Sequence, residues 1–318
     1  MNSHSIRQRK ITMQNRLIIV ILLVFTPLLR NTVVAAQSDS EPTGKLLYIC
    51  RPAGVTTQSL CVMEVETGEI SVIFTVPDEQ REILNPAWSF SGEKIVFQYW
   101  DGLWWHLWVM EADGSDPTQI TNTPDVQHWS PSWSPDDEQI VYSHAAEGGI
   151  RELWIIGSDG SNPTSLTATE EADEYAPDWS PNGDLIVFER SEYAPHQTST
   201  IWTISPDGGE PVPLTTGDTE CHSPAFSPDG TEIVMLCRNE DDWSDIWMMR
   251  ADGTNQRRLL VGEDGIGSPT WSPDGEWLVF SQGSKEESEL WIMRPDGSDL
   301  RQLTDNTSRD EIPSWFIP

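Results

Sequence analysis

The strongest constraint on the fold is a unit that recurs along the chain. Each copy opens with Pro-x-Trp, or with Pro-x-Phe in one case, and the copies follow one another at intervals of 44–47 residues. Their first residues are Pro86, Pro131, Pro177, Pro224, Pro269 and Pro313. This period is typical of the four-stranded blades of a β-propeller.

The inside of each unit supports the same interpretation. An apolar strand follows the opening, then a second Trp-containing strand, an Asp-Gly turn and a short closing strand. Glycine supplies the positive φ that such tight turns require. The second tryptophans are Trp108, Trp154, Trp202, Trp247 and Trp291. With 22 Gly and 23 Pro in the chain, a helical bundle is excluded, because these residues break helices.

The two ends of the repeat region complete each other. Residues 45–75 provide the second, third and fourth strands of a unit that lacks a first strand, whereas residues 313–318 provide a first strand alone. Pairing the two would close a ring and remove the exposed sheet edge that invites aggregation. The sequence therefore predicts an all-β fold, a six-bladed propeller closed by strands from both ends.

The opening motif is Trp-Ser-Pro-Asp-Gly in its fullest form, as at residues 271–275. On this motif the chain resembles the TolB-like β-propeller repeat family over nearly all of residues 45–318. The resemblance implies the propeller fold but leaves the function open, since propellers host unrelated activities. TolB translocation proteins carry an additional α/β domain before the propeller, whereas here we expect the propeller alone.

The first segment has the features of an export signal. Residues 1–16 are basic, residues 17–29 are apolar, and small residues end at Ala36. We predict a signal peptide over 1–36, a linker over 37–44 and the propeller over 45–318. The apolar run is shorter than the about 20 residues that span a bilayer. We therefore expect export to the periplasm or the cell exterior, with no membrane span after cleavage.

Export permits disulfides, and the four cysteines fall into two local pairs. Cys50 and Cys61 flank one predicted turn, and Cys221 and Cys237 flank another. Residues that oppose each other on antiparallel strands lie about 4.5–5.5 Å apart at Cα, within disulfide reach. Two bridges within hairpins are therefore one interpretation, and four small buried apolar residues are the other.

The charge balance limits the choice of partner. The chain has 51 acidic and 19 basic residues, a net charge of −32. A polyanion of this kind is not expected to bind nucleic acid. A protein or peptide ligand of basic character is the partner class that the charge favours.

Acidic or His-bearing segments precede the first strand of each unit, and six-fold repetition should bring them to one mouth of the central channel. The binding candidates there are Asp125, His128, Glu174, Glu220, His222 and Asp310. Clustered carboxylates attract cations, and oxygen ligands of this kind suit Ca²⁺ or Mg²⁺. The mouth is therefore a candidate Ca²⁺ site, and the sequence establishes no cofactor. The alternative is an acidic rim that is merely solvated.

Long, irregular loops lie on the same face and carry aromatic residues. Trp104, Trp105 and Trp243 fall in or beside these loops, where a ring can stack on a sugar or on a peptide side chain. Packing at the strand ends is the alternative role.

These features predict a protein-binding or scaffolding module that uses the acidic channel mouth and the long loops. The alternative is a carbohydrate-active enzyme. The resemblance extends to polysaccharide lyases with related propellers, which use His and carboxylate groups at the channel mouth; the matching groups here are His128, His222 and Glu174. A purely structural role in an envelope complex is a third hypothesis. We assign no catalytic residue.

Overall fold

The computed structural model describes residues 40–51, 55–146, 148–193, 198–241, 243–262, 265–284, 287–306 and 309–317. Within these ranges the chain forms 24 β-strands and no helix. The strands make six four-stranded antiparallel sheets, which are the six blades A to F. The predicted all-β, six-bladed propeller is confirmed.

Blade A is built from both ends of the repeat region, and blade B follows it in the chain. Blade A comprises β1 (Lys45–Cys50), β2 (Ser59–Glu64), β3 (Glu69–Thr75) and the last strand, β24 (Glu311–Phe316). Blade B comprises β4 (Glu82–Trp88), β5 (Lys94–Trp100), β6 (Trp105–Glu111) and β7 (Thr118–Gln119).

The other four blades are each continuous in sequence. Blade C contains β8 (Val126–Trp133), β9 (Gln139–Ala146), β10 (Glu152–Gly157) and β11 (Thr164–Ser165). Blade D contains β12 (Ala172–Trp179), β13 (Ile186–Glu192), β14 (Ser199–Ile204) and β15 (Val212–Pro213). Blade E contains β16 (Cys221–Phe226), β17 (Glu232–Arg238), β18 (Ser244–Arg250) and β19 (Arg257–Leu260). Blade F contains β20 (Ile266–Trp271), β21 (Leu278–Gly283), β22 (Ser288–Met293) and β23 (Arg301–Gln302).

Pairing of β24 with β1 closes the ring, as predicted. Leu46 lies opposite Trp315 in this ladder. The Trp315 indole Nε1 donates a hydrogen bond to the Thr43 carbonyl oxygen at 2.8 Å, and the rings of Trp88 and Phe316 lie 5.7 Å apart. The last strand therefore contacts both its own blade and blade B.

The core is a series of apolar layers between neighbouring blades. One layer joins Val96 and Leu107 of blade B to Trp133 and Ile140 of blade C, all of them buried. The Trp133 indole also donates to the Ala87 carbonyl oxygen of blade B at 3.2 Å. The opening Trp of the repeat thus links its blade to the preceding one by packing and by a hydrogen bond.

The polar residues of the repeat satisfy backbone groups at strand ends. In blade C, the Ser134 hydroxyl accepts the Gln139 backbone N–H at 2.9 Å and donates to Asp136 at 2.6 Å. The Thr167 hydroxyl accepts the Leu153 N–H at 2.9 Å. Because buried backbone groups need partners, these two positions carry hydroxyl residues in most units.

Both cysteine pairs considered from the sequence are bonded. Cys221 and Cys237 are direct partners on β16 and β17, with Cα atoms 4.1 Å apart. Cys50 and Cys61 join β1 to β2, with Cα atoms 5.9 Å apart. Such bridges are typical of proteins that mature in an oxidising compartment.

The predicted signal peptide, residues 1–36, and the first part of the predicted linker lie outside the described residues. In the part of the chain that is described, no helix has the length and apolar character needed to cross a bilayer.

We predict that Trp315→Ala destabilises the protein by about 3–5 kcal/mol, because a large ring that is only 6 % exposed leaves a cavity in the closing blade. Urea unfolding followed by fluorescence measures the change. Trp243→Ala is the matched control, since this ring is 43 % exposed, and its effect should stay within about 0.5 kcal/mol. Equal midpoints for the two variants would contradict the structural role of the closing strand.

Candidate functional site

The propeller has two faces of different construction. The six inner strands β4, β8, β12, β16, β20 and β24 line the central channel. The segments that enter these strands and the loops between second and third strands lie on one face, which we call the loop face. The Asp-Gly turns and the turns that follow the inner strands lie on the other, the turn face. Loops on a rigid scaffold are the usual place for binding residues.

The repeated prolines of all six blades lie together around the central channel. These six residues and the small residues beside them line a cavity of about 250 Å³. The residue before each proline has a positive φ, and the strand register shifts at the same place. A β-bulge of this kind bends the strand and re-aims the side chains on either side of it.

Three predicted mouth residues occupy one repeat position, three residues before the proline. His128, Glu174 and Asp310 are only 1 %, 0 % and 1 % exposed. Successive strand residues point to opposite faces, and this position faces the space between blades, where the other copies are apolar. The apolar equivalents are Ile83, Cys221 and Ile266. The sequence led us to expect these three side chains around the open channel mouth, whereas in the structure they are buried between blades. Ligand binding by them stays a prediction.

Glu174 is held in a buried polar cluster. Its carboxylate pairs with Arg190 at 2.6 Å and accepts a hydrogen bond from the Thr167 hydroxyl. The Arg190 guanidinium in turn lies 4.3 Å from the Trp202 ring centre. A buried carboxylate needs such a partner, so this contact accounts for Glu174 without a ligand.

His128 belongs to a group of three imidazoles in blades B and C. Its ring centre lies 5.8 Å from that of His106 and 5.4 Å from that of His144. Its Nδ1 donates to the Trp105 carbonyl oxygen at 3.2 Å. Burial lowers the pKa of His128 to about 3, so its ring is neutral at physiological pH.

No metal site of the kind that three converging side chains provide is present in the described ranges. There, no three His, Cys, Asp or Glu side chains come together in a way that could hold a metal ion. The Ca²⁺ expected at the mouth from the sequence remains a prediction.

Three other carboxylates on the loop face are exposed to solvent. Asp125, Glu171 and Asp218 occupy the position six residues before the proline in three consecutive blades, and all three are exposed. Within the described ranges, no Lys, Arg or His nitrogen lies within 4.0 Å of their carboxylates. We call these three residues the acidic arc.

The remaining predicted residues lie near the arc but differ in environment. Glu220 is half-buried and paired with Arg238 at 2.9 Å. His222, also half-buried, lies on β16 with its Nε2 3.4 Å from the Ser244 hydroxyl. Burial lowers the pKa of His222.

The three predicted loop tryptophans also differ. Trp243 is 43 % exposed. Trp104 and Trp105 are half-buried, and the Trp105 ring centre lies 5.6 Å from that of Trp100. Trp243 is therefore the one of the three whose ring is open to solvent over a large part of its surface.

A polar and aromatic group at the mouth was missed by the sequence analysis. The Arg151 guanidinium lies 4.6 Å from the Trp129 ring centre and 4.8 Å from that of Tyr175. Arg151 pairs with Asp173 at 3.4 Å, and the Tyr175 hydroxyl donates to the same carboxylate at 3.1 Å. We call these four residues the Arg151 cluster. The signal in the sequence was an aromatic residue two positions before the proline in two adjacent units.

Asp178, on the turn side of the prolines, was also missed. Its carboxylate accepts the Phe226 backbone N–H of blade E at 2.8 Å and the Ser132 hydroxyl of blade C at 3.2 Å. It lines the channel cavity, and the other copies of this position are uncharged. Those copies are Ala87, Ser132, Ala225, Thr270 and Ser314. Burial raises the pKa of Asp178 to about 6.

We predict that Asp178→Asn stabilises the protein above pH 6. The folded-state pKa of Asp178 lies above the usual 3.8. The contribution of Asp178 to the free energy of unfolding is therefore fully present below pH 3.8 and is lost as the pH rises through about 6. The neutral amide removes this loss. Melting temperatures measured across this pH range should diverge from the unaltered protein with rising pH. Asp113→Asn, at an exposed turn, is the control, and equal curves for Asp178→Asn and the unaltered protein would contradict the prediction.

Comparison with known proteins identifies the family. The TolB beta propeller domain family matches residues 45–266, so the chain belongs to the TolB β-propeller family, as the repeat motif indicated. No curated protein sequence matches the chain.

Solved structures share the fold at low sequence identity. TolB from Acinetobacter baumannii is 18 % identical with a TM-score of 0.73; the match covers 86 % of this chain and 66 % of that one. A chain of a nidogen/laminin complex is 12 % identical with a TM-score of 0.68, over 85 % and 98 % of the two chains. An oligogalacturonate lyase in complex with manganese is 17 % identical with a TM-score of 0.55, over 83 % and 74 %.

Proposed function

We propose that this TolB-family propeller is an exported binding module that recognises a basic segment of another protein on its loop face. The acidic arc of Asp125, Glu171 and Asp218 carries the proposal, because three exposed carboxylates recur on adjacent blades without a basic partner in the described ranges. The net charge of −32 adds a long-range attraction for cations.

Half-buried carboxylates at the start of third strands add to the negative potential. Burial and the neighbouring Glu174 charge raise the pKa of Glu152. Burial, Asp310 and Asp305 raise the pKa of Glu289 in the same way. A cationic ligand lowers the cost of keeping these neighbouring groups ionised.

Aromatic side chains supply the apolar part of the proposed surface. Trp243 offers an exposed ring, whereas the half-buried rings of Trp129 and Tyr175 each already lie against the Arg151 guanidinium. The stem of a Lys or Arg side chain of the ligand can pack on Trp243, and its charged end can interact with the ring face. The surface therefore combines charge attraction with stacking.

The comparisons and the disulfides support this class of function. A propeller of similar fold is part of a solved nidogen/laminin complex, in which two proteins associate. The Cys50–Cys61 and Cys221–Cys237 bridges support export to the periplasm or the cell exterior. A calcium ion at the mouth, as expected from the sequence, would compete with a basic ligand for the same negative potential.

The test is binding of a short fluorescein-labelled peptide rich in Lys and Arg, measured by fluorescence anisotropy. We expect binding that weakens with added salt, and an affinity reduced by about tenfold in Asp125→Asn/Glu171→Gln/Asp218→Asn. The charge change is the only intended difference, and Asn suits the positive φ of 61° at position 125.

The matched control removes three carboxylates from the turn face. Asp113→Asn/Asp159→Asn/Asp252→Asn changes the net charge equally, and Asn preserves the turn hydrogen bonds of these exposed residues. Equal losses of affinity in the two triple variants would reduce the effect to overall charge and refute a loop-face site.

A carbohydrate-active enzyme is the second candidate, and the Arg151 cluster favours it. Arg151 can pair with a sugar carboxylate, and the Tyr175 hydroxyl beside it can exchange a proton. An oligogalacturonate lyase is among the proteins of similar fold. If this function holds, polygalacturonate incubated with the protein and Mn²⁺ gains the ultraviolet absorbance of an unsaturated product, and Tyr175→Phe abolishes the gain. No gain with the unaltered protein would exclude this substrate.

A further inference from the structure

The outer edge of blade A differs from the other outer edges. Strand β3 has seven residues, whereas β7, β11, β15 and β23 have two each and β19 has four. Short outer strands offer few backbone groups to an incoming chain. Blade A therefore has the longest outer edge within the described ranges.

The backbone of β3 is paired along one side only. Its pairs with β2 run from Glu69 opposite Glu64 to Thr75 opposite Ser59, and β3 is the last strand of its sheet. The register shifts once, at Ile73, whose carbonyl oxygen lies against Gly114 of blade B. On either side of this bulge, alternate N–H and C=O groups point away from the sheet. The strand also lacks the Pro and Lys residues with which proteins commonly protect an edge.

The side chains of β3 are unusually apolar for an exposed strand. Ile70 is 47 % exposed and Val72 is 48 % exposed, and because they are two residues apart they share one face. Two exposed β-branched residues on a free edge suit a cross-strand partner with similar side chains.

The ends of β3 carry negative charge that has no ion-pair partner within the described ranges. Glu66 and Glu69 are exposed at its start, and Glu79 is exposed just after its end. A second copy of this chain, with its own net charge of −32, would be repelled. Charge complementarity thus favours a partner with basic residues at both ends of its strand.

We propose that β3 is a docking edge for an extended segment of a partner protein, which adds to blade A as a fifth strand. The segment has β-branched or aliphatic residues in its middle, facing Ile70 and Val72, and Lys or Arg at both ends, facing Glu69 and Glu79. Strand addition of this kind derives its affinity from main-chain hydrogen bonds and its specificity from alternate side chains. This edge lies on the outer rim, apart from the acidic arc, so the inference goes beyond the proposed loop-face function.

The probe is a labelled peptide of alternating Val and Thr residues with Lys at both ends. We expect it to bind the purified protein and to slow amide hydrogen exchange of residues 69–75. Val72→Lys places a positive charge on the docking edge and should weaken binding by about tenfold or more. Val212→Lys is the matched control, since Val212 is 56 % exposed in the two-residue outer strand β15. This variant should bind the peptide as the unaltered protein does.

Two further controls decide between this edge and other sites. The same peptide with alternate backbone nitrogens methylated keeps its charge but loses its donors, so it should not bind. Binding of the methylated peptide, or protection of the acidic arc in place of β3, would overturn the proposal. A dimer of the protein alone that Val72→Lys dissociates would also overturn it, because the edge would then belong to a second copy.

Discussion

The pairing of β24 with β1 is the constraint on which the rest of the structure depends. It joins residues from the two ends of the repeat region in one blade, so that each blade packs against two others and no inner strand is left without neighbours. The apolar layers lie between blades, and hydrogen bonds such as Trp133 to Ala87 cross from one blade to the previous one. A ring built in this way loses contacts on both sides of any blade that is displaced. The stability of the fold is therefore shared around the ring.

The same construction decides which side chains are available to a ligand. Side chains alternate along each inner strand, and the side chain three residues before the proline points into the space between blades. This is why His128 and Glu174 are buried. The position six residues before the proline precedes the strand and stays exposed, as at Asp125. The acidic arc and the Arg151 cluster therefore belong to the entry segments and the first residues of the strands.

Much of the fold could be predicted from the sequence, because the length of the repeat can be read directly from the recurring motif. A Pro-x-Trp or Pro-x-Phe opening marks all six blades and an Asp-Gly turn marks five of them, and the incomplete units at the two ends required ring closure. The candidate site was less accessible to prediction. Neighbouring residues of a strand point in opposite directions, one to solvent and the next to the interface between blades. The bulge before each proline shifts this alternation. From the sequence alone, an acidic residue such as Glu174 could therefore not be assigned to the solvent side or to the blade interface. Asp178 was missed for another reason. Its partners Ser132 and Phe226 lie in two other blades, and only the folded ring brings them together.

The most direct test of recognition on the loop face is amide hydrogen exchange across the protein, measured with and without a bound Lys- and Arg-rich peptide. We expect exchange to slow in the segments that enter the inner strands of blades C, D and E, around Asp125, Glu171 and Asp218. Exchange at the Asp-Gly turns of the opposite face should be unchanged. Slowed exchange confined to the turn face, or no change at the acidic arc under conditions where the peptide is bound, would contradict the loop face as the recognition surface.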